Sequence, residues 1–183
     1  MLQTQRLILR PWTENDDKTL YRWASDPAVG PPAGWPPHKS VDESREVLRC
    51  ILCRPESYAV CLRCDGVPIG SVSLHFSDVS DLARDKGECE LGYWLARPFW
   101  GLGIMPEAAT ELLRHAFEEL GMERVWCGYY EGNERSRRVQ EKCGFVPQWT
   151  TQDVDVPQMH EKRTGYVSVL TRQDWLARGT AEK

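Results

Sequence analysis

The chain has 183 residues, 41% of them hydrophobic and 27% charged, which suits one compact domain with a sizeable core over residues 1–183 and leaves little room for two. A net charge of −4, with basic residues scattered among acidic ones, excludes the broad positive field of a nucleic-acid-binding surface. No apolar run approaches the roughly 18 residues of a membrane span, and residues 1–12 lack the pattern of a secretory leader, so a soluble cytoplasmic protein is expected.

Residues 5–12 read as an opening strand, with Leu7 and Leu9 on one face and Ile8 on the other. An acidic stretch leads into a first helix over 18–25, where Leu20, Trp23 and Ala24 recur at helical spacing. Residues 26–40 hold five prolines and two glycines, which forbids helix or central strand. This is a long ordered loop, either a connector or a lid whose Trp35 and His38 line a substrate entrance. Ser40 and Glu43 form a capping box, so a second helix follows over 41–54 with Val47, Leu48 and Ile51 inward. Residues 57–64, the Asp65-Gly66 turn and residues 67–76 make an antiparallel hairpin.

A further strand over 88–96 leads into Phe99-Trp-Gly-Leu-Gly-Ile-Met-Pro-Glu-Ala108. From Glu107, the residues Ala108, Leu112, Leu113, Ala116 and Leu120 form one stripe of a third helix that stops at Gly121. Strand 124–130 completes a βαβ unit and hence a locally parallel pair. A short helix over 133–144 opens on Asn133 and closes on Gly144. Two late strands are expected over 145–154 and 164–175, with residues 176–183 frayed.

Seven cysteines include two CxxC pairs, Cys50/Cys53 and Cys61/Cys64, separated by seven residues. That spacing would suit zinc on knuckle turns. The first pair falls in a helix and the second in a strand, where an odd separation sends the side chains to opposite faces. No metal is expected, and buried thiols in a reducing compartment fit better.

Gly101 and Gly103 sit at a strand-to-helix junction, where amide N–H groups lack intrahelical partners and attract anions. Glycine lets the backbone approach a phosphate closely and adopt dihedrals closed to other residues. Pro106 forfeits an N–H that the first turn does not use. The dinucleotide fingerprint fails for want of a third glycine, and the Walker pattern for want of Gly-Lys-Ser/Thr.

The stretches ELGYWLARPFWGLGIMPEA, residues 90–108, and NERSRRVQEKCGFV, residues 133–146, resemble the acetyl-CoA-binding core of GNAT N-acetyltransferases. The resemblance is to the branch that holds the ribosomal-protein N-terminal (Ser/Ala) acetyltransferases. QTQRLILRPWTENDD at the start, PIGSVSL after the Asp65-Gly66 turn and the closing YVSVLTRQDW match that branch in order, so nearly the whole chain is covered. The family motif usually begins with Gln or Arg, here Trp100, and ends on a small residue, here Met105. Met105 leaves a backbone cradle intact where its side chain points away from the phosphates.

The resemblance implies a mixed α/β GNAT fold: a twisted, mostly antiparallel sheet of about six to seven strands with a splayed parallel pair, flanked by about four helices. It implies acetyl-CoA as cosubstrate, held by Trp100, Gly101, Leu102, Gly103, Ile104, Met105 and Pro106, with the amides around Leu102 to Pro106 on the pyrophosphate. The pantetheine arm would fill the gap between the strands of residues 93–96 and 126–130. A backbone N–H near Trp94 or Leu95 would polarise the thioester carbonyl. Asn133 would both cap its helix and touch the cofactor, and Ser136 would also contact the cofactor and donate a proton to the departing sulfur.

A thioester is already activated, so transfer to an amine needs no protein nucleophile. Cys89 and Cys127 read as strand residues without an activating histidine or helix terminus. Glu90, in apolar and aromatic surroundings, is the candidate base; Glu88 shares its facing, an ion pair is the plainer use of either carboxylate, and His75 is the fallback. The acceptor is a primary amine, either a protein N-terminus or a small amine such as an amino acid, polyamine or antibiotic, with no nucleic-acid or membrane partner and a monomer or homodimer expected. A catalytically silent acyl-CoA sensor is the alternative, disfavoured by the presence of Ser136 and a nearby carboxylate. A zinc-dependent interaction module rests on the CxxC spacing alone.

Overall fold

A computed structural model describes residues 1–181. Eight strands form one sheet: β1 (Leu2–Gln3), β2 (Leu7–Pro11), β3 (Ser57–Leu62), β4 (Pro68–Phe76), β5 (Glu88–Leu95), β6 (Arg124–Tyr130), β7 (Val146–Val156) and β8 (Glu161–Thr171). Their spatial order is β1-β2-β3-β4-β5-β6-β8-β7. Every neighbouring pair is antiparallel except β5 and β6, the pair that the βαβ reading requires. Five helices accompany the sheet: α1 (Asp17–Ala24), α2 (Val41–Val47), α3 (Ile104–Arg114), α4 (Glu134–Cys143) and α5 (Arg172–Ala181).

Period-two alternation divides the sheet into two faces. Leu7, Leu9, Val60, Val72 and Leu91 bury with the α3 stripe of Ala108, Leu112 and Leu113 in the larger core. Ala59 and Cys61, one residue out of phase with Val60, pack on the other face with Trp12, Leu20 and Ala24 of the α1 side and with Leu48. α3 and α4 therefore cover one face, and α1 and α2 the other. Among the described residues, no helix is long and apolar enough to cross a membrane.

The fold is the expected one, with four differences. The sheet has eight strands where six to seven were expected, because the two-residue β1, with Leu2 opposite Leu9, is too short to leave a periodic signal. Among the described residues there are five helices where about four were expected. The last strand ends at Thr171, whose Oγ1 accepts the Asp174 N–H at 3.2 Å and so caps α5. Trp175 then stacks on Phe117 with centroids 5.7 Å apart and donates to Glu118 at 3.0 Å, so residues 172–175, expected to finish a strand, open α5, which continues into the stretch 176–183 expected to fray; residues 182–183 lie outside the described residues. In α2 a π turn at Leu48–Leu52 shifts the helical phase, so Ile51 is 46% exposed where it was expected inward. α3 starts at Ile104, three residues before the expected Glu107.

Candidate active site

The parallel pair is short. β5 and β6 are in register at Glu88/Arg124, Cys89/Val125 and Glu90/Trp126, and beyond Glu90 they part. The Cys127 thiol donates to the Leu91 carbonyl at 3.3 Å at the apex of the opening. The Ala96 N–H donates to Ile69 across β4 at 2.8 Å. By the alternation of an antiparallel ladder, the Trp94 N–H then faces β4, while those of Tyr93 and Leu95 face the opening. The parted strands border a cleft of about 880 Å³ that reaches from Gly101 and Gly103 to Glu90 and Ser136.

At one end of this cleft the loop before α3 is built on two left-handed glycines, Gly101 at φ +77° and Gly103 at φ +73°. Gly103 stands at the N-cap position of α3. None of the amides from Gly101 to Met105 donates to another group among the described residues, whereas Glu107 N–H bonds the Gly103 carbonyl at 3.3 Å. Several donors and the positive end of the helix dipole thus converge where an anion could sit. Met105 is only 4% exposed and turns into the core, away from that cradle.

A latch from the start of the chain holds the loop from behind. Arg6 Nη1 donates to the Leu102 carbonyl at 2.9 Å, and Arg6 Nε donates to Glu107 Oε2 at 2.6 Å. Glu107 Oε1 also accepts from the Arg6 N–H at 3.0 Å and from Thr4 Oγ1 at 2.5 Å. Burial would raise the Glu107 pKa, but the hydrogen bonds from Thr4 and Arg6 outweigh it and hold the carboxyl below its ordinary range. Trp100 is fixed by its own indole N–H on the Leu95 carbonyl at 2.7 Å, and the Arg135 guanidinium lies 3.9 Å above its ring. Arg135, Arg138 and Lys142 follow one another along the α4 face that lines the cleft.

Ser136 stands on the first turn of α4, where Asn133 Oδ1 accepts its N–H at 3.2 Å. The Asn133 amide nitrogen donates to the Pro32 carbonyl at 3.0 Å, so the cap also ties down the proline-rich loop. Ser136 is 9% exposed. Its Oγ lies 2.9 Å from the Tyr93 phenol and accepts from Gln140 Nε2 at 3.4 Å. Burial raises the Tyr93 pKa well above its ordinary value, so this phenol stays protonated.

Glu90 projects from the opposite face of β5. Its Oε2 accepts from Ser80 Oγ at 2.7 Å, and burial raises its pKa against that hydrogen bond, with Asp81 adding to the rise. Glu88 has a different fate. Burial acts to raise its pKa too, but the Arg84 amide at 3.1 Å, Arg124 at 2.9 Å and the Trp126 indole at 3.2 Å prevail and keep it low. Glu88 is thus the ion pair, and Glu90 has no cationic partner among the described residues. His75 stands opposite Glu90 in register with Nε2 2.9 Å from Ser73 Oγ, and burial lowers its pKa, with Arg54 adding to the fall.

Trp94 stacks on Trp12 at 6.2 Å and meets the edge of Trp35, also at 6.2 Å, forming an aromatic floor on the α1 side. The proline-rich loop lines the cleft through Ala28, Val29, Pro32 and Ala33. Trp35 and His38 turn inward instead, His38 onto Ser44 Oγ at 2.7 Å. Burial pushes the Cys89 thiol up to about 12 and Cys127 well above its ordinary value, so neither is a thiolate nucleophile at neutral pH. Of the CxxC pairs, Cys61 is buried while Cys50, Cys53 and Cys64 are exposed.

Sequence reasoning missed Arg6, Tyr93 and Gln140, as well as the basic α4 face. Only the last had a signal, since 135, 138 and 142 follow helical spacing.

A family model described as an acetyltransferase (GNAT) domain matches residues 6–146. YdaF of Bacillus subtilis, whose name proposes a ribosomal N-acetyltransferase, is 38% identical over 110 residues, which span 60% of this chain and 57% of that protein. A GNAT-family acetyltransferase structure from Bacillus anthracis aligns with a TM-score of 0.83 at 19% identity, covering 94% of this chain and 98% of the other. The structure of a ribosomal-protein-S5-alanine acetyltransferase from Vibrio fischeri aligns at 0.72 and 19% identity, covering 94% and 97%. With its parted parallel strands, its glycine loop at the mouth of α3 and a family match over most of its length, the chain belongs to the GNAT acetyltransferases.

Proposed function

We propose that this protein moves an acetyl group from acetyl-CoA directly to a primary amine, either a protein N-terminus or a small-molecule amine. The observation that carries the reading is that the free amides of residues 101–105, the parted strands, Ser136 and Glu90 all open on one cleft. When bound, acetyl-CoA supplies an acyl group already activated as a thioester. The residues present fit it: the glycine loop offers unpartnered donors for a diphosphate, Arg135, Arg138 and Lys142 offer positive charge beside it, and the gap between β5 and β6 offers strand-like hydrogen bonds to an amide-bearing arm.

Each further group then has a distinct task. The Leu95 N–H, which faces the gap, stabilises negative charge on a carbonyl oxygen. Glu90, raised in pKa and lacking a cation, takes a proton from the incoming ammonium, directly or through water. Ser136 donates its hydroxyl hydrogen bond to the leaving sulfur from the other face of the sheet. The neutral amine attacks the carbonyl carbon, the C–S bond breaks, and the second proton shed by the nitrogen passes to the departing sulfur, so the coenzyme leaves as its thiol. The reading carries with it a cytoplasmic location, where conditions keep Cys89 and Cys127 reduced.

The test is thiol release from acetyl-CoA across a panel of peptides with varied N-termini, amino acids, polyamines and aminoglycosides. Turnover with at least one class is expected. Absence of coenzyme binding by calorimetry, together with no release on any acceptor, would overturn the reading.

A further inference from the structure

The Ser136 hydroxyl has two hydrogen-bonding neighbours, and the chemistry of each limits where the serine proton can point. Gln140 Nε2 is a pure donor, and its orientation is set by the Gly128 carbonyl, which can only accept; the Ser168 hydroxyl shares its one proton between Gln140 Oε1 and the Cys127 carbonyl at 3.2 Å. The nitrogen donates to the Gly128 carbonyl at 3.3 Å, and the oxygen accepts from Ser168 Oγ. Ser136 Oγ must therefore be the acceptor in the 3.4 Å contact with Gln140. The Tyr93 phenol, with Gln140 and the Cys127 thiol also beside it, has two oxygen acceptors on the same residue, Ser136 Oγ at 2.9 Å and the Ser136 carbonyl at 3.2 Å. When the phenol proton sits on Oγ, both serine lone pairs are filled. The serine proton then has no protein acceptor left and projects into the cleft that Ser136 lines.

We propose that Tyr93 and Gln140 are positioning residues that aim the Ser136 hydroxyl proton at the leaving sulfur, with the Gly128 carbonyl keying the Gln140 amide. The proposal rests on the acetyl-transfer reading above and deepens it. Tyr93 itself does not give up its proton. It turns its hydroxyl from the Ser136 carbonyl to Oγ, which converts the serine from a donor to tyrosine into a donor to the cleft. All three side chains keep their protons, and the only bond changes are those of acyl transfer.

A double-mutant cycle tests this. Tyr93→Phe and Gln140→Met keep the packing volume; the first removes the phenol donor, and the second removes the amide with its bonds to Ser136, Gly128 and Ser168. Either should lower kcat about tenfold, the cost of one misdirected hydrogen bond, while KM for acetyl-CoA stays within about twofold of wild type. In a Ser136→Ala background neither should lower kcat further, because there is no proton left to aim. A purely structural role would instead lower the melting temperature and multiply the Ser136→Ala loss. Unchanged kcat in both single variants, losses that multiply in the double variants, or no effect of Ser136→Ala would each overturn the proposal. Wild-type turnover is the reference that separates the two readings: multiplying losses on an active wild type condemn only the positioning of Ser136, whereas an inactive wild type sinks both. Should Tyr93→Phe fail to fold, Gln140→Met carries the cycle alone.

Discussion

Gly103→Val isolates the backbone geometry of the anion cradle. Gly103 holds φ at +73°, and a Cβ there would meet nothing nearer than Arg6 Nη2 at 3.5 Å, an ordinary contact. The cost of a side chain is therefore conformational. A left-handed non-glycine residue costs about 1–2 kcal/mol, with a β-branched one at or above the upper end. The valine chain escapes by rotating to negative φ, which turns the amides at the start of α3 away from the cleft. To bind, the coenzyme must force the loop back, so its affinity falls by the escaped strain: about 2 kcal/mol, or roughly thirtyfold. Gly66→Val is the matched control, with φ +68° and no atom within 4 Å of its Cβ, in the hairpin turn between β3 and β4. It should lose stability by about 2–8 °C in melting temperature and keep full coenzyme affinity. Calorimetric titration with acetyl-CoA, paired with thermal melts, reads both quantities. Wild-type affinity in Gly103→Val would refute the claim that this dihedral aims the amides.

Other perturbations follow the same logic. Ser136→Ala should lower kcat about a hundredfold, the lower range for a lost hydrogen-bond donor to charge that develops in the transition state, and leave KM for acetyl-CoA near wild type in steady-state assays. Arg6→Ala frees the Leu102 carbonyl and half the Glu107 partnership at once, so coenzyme affinity should fall several-fold, about the worth of one charged hydrogen bond, while kcat at saturation stays put; an unchanged dissociation constant would dissolve the latch. Glu90→Gln should abolish the acid limb of the kcat/KM profile, which in wild type lies above the ordinary carboxylate range because burial raises the Glu90 pKa. The stability sign is opposite to the usual carboxylate: the folded protein holds the proton more tightly than the unfolded chain, so wild-type stability falls as pH rises from the ordinary carboxylate pKa through the raised one. Glu90→Gln should remove that decline and be the more stable protein at neutral pH; equal melting temperatures across that window would contradict the burial argument.

Most of the strands were legible because Leu7 and Leu9, or the mixed apolar run of residues 57–62, carry their burial in a local period. The glycine loop was legible for a different reason. Two glycines one residue apart ahead of Pro106 announce dihedrals that side chains would forbid. What stayed hidden depends on pairs far apart in sequence. Arg6 meets Glu107 across 101 positions and Tyr93 meets Ser136 across 43, and nothing local to either residue encodes the meeting. The fate of the two glutamates was equally hidden. Glu88 and Glu90 have the same facing and the same strand, yet the Arg124 guanidinium and the Trp126 indole both turn to the first, although Trp126 stands in register with the second. The π turn at Leu48–Leu52 was unreadable since the inserted residue changes the phase without changing the composition.

In the proposed mechanism, the departure of β6 also lets a base on β5 and a hydrogen-bond donor on α4 reach one bond. Alternate residues of β5 face opposite sides of the sheet: Leu91, Tyr93 and Leu95 toward α3 and α4, and Glu90, Gly92 and Trp94 toward α1 and α2. Direct transfer brings the amine to one side of a carbonyl carbon while sulfur leaves from another, so a proton acceptor and a hydrogen-bond donor must stand on different sides of one atom. In a closed sheet the two faces are sealed from each other by the ladder. Here the ladder ends at Glu90 and Trp126, one residue before the Cys127 thiol meets the Leu91 carbonyl. Beyond that point the face bearing Ser136 and the face bearing Glu90 communicate through the gap, and the Leu95 N–H, freed of a strand partner, points into it. The end of the parallel ladder at Glu90 and Trp126 thus opens, in the proposed mechanism, a place where both faces act on one bond.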